Sequence, residues 1–154
     1  MIFVTLGTQD KPFKRLLDYI ENSNIDDEFI IQAGFTQYCS NKFKIYKYLD
    51  KDKFDDYLKK ADLIICHGGV GTIVNCLNDG KHVLAVPRLS KYGEHQNDHQ
   101  LQIVNAYKQK GYLTVMNDGD DFDEKVKEAL AFKPNKFVSN NEVFVNKLKK
   151  YIMY

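Results

Sequence analysis

The sequence predicts an α/β fold, a parallel sheet with helices packed on both faces. Two observations carry this. Short apolar runs without polar alternation recur along the chain, as strands covered on both faces do. Between them lie segments whose apolar residues repeat at helical spacing.

The elements follow in order. Residues 2–6, Ile-Phe-Val-Thr-Leu, form a continuous β-rich run that stops at Gly7 and reads as a buried strand. Phe13, Leu16, Leu17 and Ile20 then share a helical face, with Pro12 suited to the first turn. Phe29, Ile30 and Ile31 make a second strand closed by Gly34, and residues 45–49 a third, interrupted by lysines. Phe54, Tyr57 and Leu58 mark a helix over 52–60. Residues 63–66, Leu-Ile-Ile-Cys, form a strand that runs straight into a glycine-rich turn. A helix over 72–78 stops at Gly80, and the strand 83–86 ends at Pro87. Residues 88–97 are polar and without period, hence a loop. A helix follows from an Asp98 N-cap to Lys110, with Leu101, Val104 and Tyr107 inward and Gly111 beyond its end. Residues 112–116 are a last strand, and Val126 and Leu130 mark another helix. Phe144, Leu148, Tyr151 and Ile152 predict a C-terminal helix over 140–154, flanked by lysines and suited either to this domain's sheet or to a partner. All 154 residues read as one domain, 1–154, without repeats or a linker.

Composition narrows the function. Lys and Arg number 22 against 21 Asp and Glu, a balance that argues against a nucleic-acid binder. No apolar run is long enough to cross a bilayer, and the N-terminus has no basic leader ahead of its apolar segment. Three cysteines without a CxxC pair predict a reduced, cytoplasmic chain with no structural zinc. Cys66 and Cys76 read as core residues, and no activated Ser, Thr or Cys nucleophile stands out.

In a parallel sheet, ligands bind beyond the carboxyl ends of the strands. Three loops there carry chemistry. The first is Gly7-Thr8, either a plain tight turn or a place for phosphate-directed amides. The second is Cys66-His67-Gly68-Gly69-Val70-Gly71-Thr72, between a buried strand and a helix. Its glycines let a ligand approach the backbone, and the free N–H groups at a helix start favour phosphate. It is neither GxGxxG nor a Walker A loop, and such turns also serve packing alone. The third runs from Pro87 to Gln100, rich in histidines, amides and charged groups that suit a hydroxyl-rich ligand or simply a solvated polar loop. His95 and His99 are four apart, but His95 precedes the N-cap, so the pair shares no helical face and predicts no metal site.

Taken in this order, the three loops resemble the donor-binding, C-terminal half of glycosyltransferase family 28. The likeness runs from Phe3 to Leu113 and is greatest to the family's small stand-alone subunits. These serve bacterial capsule or exopolysaccharide synthesis and eukaryotic dolichol-linked saccharide synthesis; residues 87–100 resemble the capsule type. The resemblance implies a Rossmann-like domain equivalent to the C-terminal half of a GT-B glycosyltransferase. It implies a UDP-sugar donor, a hexose or N-acetylhexosamine passed to a lipid-linked acceptor, and no cofactor. It also implies an inverting reaction whose acceptor half and general base lie on a membrane-associated partner, which would hold this chain at the inner face of the membrane. By the same resemblance Gly7 and Thr8 lie near the diphosphate, and Leu49 lies where backbone reads uracil. His67, Gly68, Gly69, Gly71 and Thr72 form the diphosphate loop. Asn75 stands where a related enzyme grips the ribose with glutamate, so a charge-assisted bond is absent. His99 and Gln100 match the pair that meets the sugar hydroxyls. A non-catalytic subunit that activates a partner without binding donor tightly is the alternative. A NAD-binding protein is disfavoured, because GxGxxG is missing after the first strand and no acidic residue ends the second.

Overall fold

The computed structural model describes residues 1–138. Six strands form one parallel sheet: β1 (Ile2–Thr5), β2 (Phe29–Gln32), β3 (Lys44–Tyr46), β4 (Leu63–Cys66), β5 (Val83–Ala85) and β6 (Thr114–Val115). Their order is β3-β2-β1-β4-β5-β6, which is the Rossmann-like arrangement. The helices are α1 (Lys14–Glu21), α2 (Lys51–Lys60), α3 (Val70–Asn78), α4 (His99–Gln109) and α5 (Phe122–Ala131).

The pleat sorts the strand residues. Phe3, Ile64, Cys66, Val83 and Ala85 join one core with residues of α2, α3 and α4. Ile2, Val4, Leu63, Ile65 and Leu84 join the other with residues of α1 and α5. Every residue of β1, β2 and β4 is buried, which is why these runs show no polar alternation.

Chain direction across the sheet reverses at β1. The chain moves outward through β2 and β3, then returns to pair β4 with the other side of β1, Thr5 facing Cys66. A crevice opens at such a switch point beyond the carboxyl ends of the strands. The Gly7 turn and the glycine loop after β4 both emerge there.

Several boundaries differ from expectation. Pro12 and the N-cap Phe13 precede α1, so the proline lies outside the first turn. β3 is an edge strand over Lys44–Tyr46 rather than 45–49. β5 ends at Ala85 and β6 covers only Thr114–Val115. α3 starts at Val70, not Thr72, because its first turn accepts Gly71. Asp98 holds the N-cap position of α4 without capping it: its carboxylate takes the Ser90 amide at 2.8 Å, while Asn97 accepts from the His99 amide at 3.0 Å. Leu101 is half-buried, and Ile103, Val104, Ala106 and Tyr107 form the inward face. Leu130 lies on the exposed side of α5. The predicted helix over 140–154 lies outside the described residues.

Candidate functional site

The imidazole of His67 sits where the first two loops meet. A Cβ on Gly7 would fall 2.4 Å from its Nε2, and a Cβ on Gly69 2.4 Å from its Cε1. Both positions therefore admit only glycine while the ring keeps its place. Gly7 adds a second reason, a φ of +81°.

The third loop holds that ring. Gln100, at the start of α4, is 3% exposed. Its Oε1 accepts from the amides of Gly68 at 2.9 Å and Arg88 at 3.0 Å. Its Nε2 therefore faces Nδ1 of His67, at 3.1 Å, and donates to it. By this network, neutral His67 carries its proton on Nε2. Burial, and then the nearby charge of Arg88, push its pKa down to about 4. His67 is thus a neutral donor near neutral pH, not a cation.

The glycine loop opens α3. Its N-cap, Gly69, offers no side-chain acceptor, so the first-turn amides of Val70, Gly71 and Thr72 have no capping partner among the described residues. Gly71 is exposed, its φ is not positive, and a Cβ there would meet nothing within 4 Å. Among the described residues nothing asks for glycine at that position. One turn further along α3, Asn75 is exposed on the same face.

The other expected residues lie around this edge. Thr8 is exposed beyond Gly7, and His99 is half-buried at the first turn of α4. Leu49 lies between β3 and α2, half-buried against the core, and its amide donates to Oε1 of Gln32 at 2.8 Å. Gln32, buried at the end of β2, was not singled out by sequence; a polar residue ending an apolar run was its one signal. A cavity of about 240 Å³, lined by Gln9, Asp10, Lys11, His95 and Gln96, lies between the first and third loops. A larger cleft of about 740 Å³ runs along α1 to the start of α5 and includes none of the glycine-loop residues.

The third loop is less solvated than its composition suggests. Arg88 is 1% and Glu94 3% exposed. Glu94 grips Arg15 through two contacts of 3.0 Å and accepts the Leu89 amide at 3.0 Å. Among the described residues the Arg88 side chain donates only to backbone carbonyls. Sequence reading missed this cluster because it joins residues 79 apart. Among the described residues, no group of three or more His, Cys, Asp or Glu is placed to hold a metal, and no helix is long and apolar enough to cross a membrane.

The sequence profile of the glycosyltransferase family 28 C-terminal domain matches residues 1–153. The chain is 29% identical over 101 residues to the human UDP-N-acetylglucosamine transferase subunit ALG13; the match covers 66% of this chain and 8% of that protein. The fold is similar to that of the calicheamicin glycosyltransferase CalG4, with a TM-score of 0.64 at 14% identity, covering 99% of this chain and 37% of that one. It is similar also to the glycosyltransferase SnogD from Streptomyces nogalater, with a TM-score of 0.56 at 18% identity, covering 99% and 38%. The chain thus spans well under half the length of these proteins.

Proposed function

The chain belongs to glycosyltransferase family 28 as its C-terminal domain, and from that membership we propose that it is the donor-binding half of a two-chain, UDP-sugar-dependent hexosyltransferase. One observation carries the reading. The uncapped N-terminus of α3 opens onto an exposed glycine, Gly71, for which the protein itself has no use. A diphosphate lying on these amides would need that space, and the helix dipole favours its charge.

The remaining residues fit around it. The Gly7-Thr8 turn faces the same crevice, and the Nε2–H of His67 adds a neutral donor beside it. Asn75 is one turn from Gly71 and suits the ribose. Leu49 borders the nucleobase, and since its amide is bonded to Gln32, the uracil contact falls to other backbone atoms of that segment. His99 is the member of the His-Gln pair that faces the sugar. Gln100 serves from beneath, by holding His67 and the Gly68 amide.

In the reaction, the acceptor hydroxyl displaces UDP from the anomeric carbon with inversion. The C1–O bond to the β-phosphate breaks, and UDP departs with the electron pair. Amides and the helix dipole stabilise its charge without a metal or another cofactor. A base on a membrane-associated partner takes the hydroxyl proton. The human relative is a subunit of a UDP-N-acetylglucosamine transferase, which supports both the UDP-sugar and the need for another chain. The partner would hold this chain at the cytoplasmic face of the membrane, and the lipid-linked product suits capsule or exopolysaccharide synthesis.

The test is reconstitution. The chain, a candidate acceptor-binding partner and a labelled UDP-sugar are combined with membranes carrying lipid-linked saccharide. Transfer that requires both chains supports the reading. Transfer by the partner alone at the same rate contradicts it.

A further inference from the structure

Arg88 carries a buried charge that the donor-site reading above does not use. The side chain is 1% exposed, and its guanidinium centre lies 5.0 Å from the Phe13 ring centroid. Nη1 donates to the carbonyls of Lys11 at 2.8 Å and Glu94 at 3.0 Å, and Nη2 to that of Leu6 at 2.6 Å. Nε is buried with no partner among the described residues. No carboxylate bonds to it, because the carboxylate of Glu94 is bound to Arg15 and the Leu89 amide. Arg15 thus takes the bonds of Glu94 and also lies within electrostatic reach of Asp118, while Arg88 has no carboxylate bonded to it among the described residues. Burial pushes Arg88 down to about 10, Glu94 opposing the shift from a distance.

Its position is more informative than its cost. Leu6 precedes Gly7, and Lys11 ends the same turn. All peptides are trans, so a carbonyl aimed at Arg88 turns the next amide away from it. Holding Leu6 O inward thus points the Gly7 N–H outward, and holding Glu94 O does the same for His95. The Arg88 amide shares Oε1 of Gln100 with the Gly68 amide, so its backbone is coupled to the glycine loop. Its charge reaches His67, whose ring lies between Gly7 and Gly69.

We propose that Arg88 is a buried positioning residue for the donor's diphosphate: from behind the first and third loops it turns their amides outward and supplies a positive charge to which no carboxylate is bonded, without touching the ligand. The inference rests on the donor-binding reading above.

UDP and uridine are titrated by NMR into the wild type, Arg88→Gln and Arg88→Lys. Arg88→Gln is expected to weaken UDP by about tenfold and uridine by less than about twofold, as loss of a nearby charge in a partly shielded site would. Arg88→Lys should recover most of the UDP affinity. A folded Arg88→Gln that keeps the wild-type ratio of UDP to uridine affinity, or loses both equally, overturns the proposal, as does a lysine variant no better than the glutamine one. Should the variants not fold, the wild type decides: the Arg88 Nε–H resonance should shift with UDP and not with uridine, and its indifference to saturating UDP overturns the proposal. A wild type that binds neither ligand fails differently, since it removes the donor-binding reading and this inference with it.

Discussion

The side-chain amide of Gln100 lies 3.1 Å from Nδ1 of His67, across 33 residues of sequence. With its other end on the amides of Gly68 and Arg88, Gln100 ties the loop after β4 to the loop after β5. His67 in turn touches the turn after β1, so one pair of side chains joins all three loops.

Gln100→Glu tests that pair. One carboxylate oxygen can still accept the two amides, but the other then faces the lone pair of Nδ1. The contact becomes favourable when Nδ1 carries a proton, in the other neutral tautomer or in the cation, and the adjacent negative charge favours the cation. The His67 pKa should rise from about 4 toward or beyond its ordinary value of 6.5, as read by histidine NMR. A pKa that stays near 4 would contradict the bonding described.

The buried ring also sets an acid sensitivity. The folded pKa lies below the unfolded one, so between about pH 4 and 6.5 the unfolded chain binds the extra proton. Stability should therefore fall as pH drops through that window, by about 3 kcal/mol from this group when fully developed. Urea unfolding at stepped pH measures it. His67→Gln should flatten the slope, and an unchanged slope would show that other groups dominate.

Gly7 and Gly69 stood out in the sequence, and the structure packs both against the His67 ring; the buried strands were plain from their apolar runs. What escaped was polar and long-range. Arg88, Glu94 and Gln32 are buried, yet local pattern assigns polar residues to solvent, because their partners lie elsewhere in the chain. β3 was misjudged because an edge strand is only half covered: Ile45 and Tyr46 are partly buried and Lys44 exposed. α3 began earlier than expected because a glycine in its first turn was read as loop.

Gly7→Ala should destabilise strongly. A methyl group at φ +81° costs about 1–2 kcal/mol in backbone strain alone, and it must also displace the His67 ring. Thermal melting should show a drop larger than for Gly69→Ala, where only the ring must move. Equal melting of Gly7→Ala and wild type would contradict the packing.

The cysteines offer an independent check of the core. Cys39 is exposed, while Cys66 and Cys76 are buried. Burial raises the Cys66 thiol well above its ordinary pKa and pushes Cys76 up to about 12. A disulfide reagent should react promptly with one thiol in the folded protein and with three in urea. Rapid loss of two or more native thiols would contradict the burial.

The central claim is that the start of α3 is shaped for a diphosphate rather than for the protein, and Gly71→Ala tests it most directly. Alanine has room there and a better helix propensity, by as much as about 1 kcal/mol, so the melting temperature should hold or rise. Calorimetry with UDP should show binding to the wild type that weakens by about tenfold in the variant, as the added methyl group pushes the phosphates off the amides. A variant that melts no lower and binds UDP as tightly as the wild type would contradict the account.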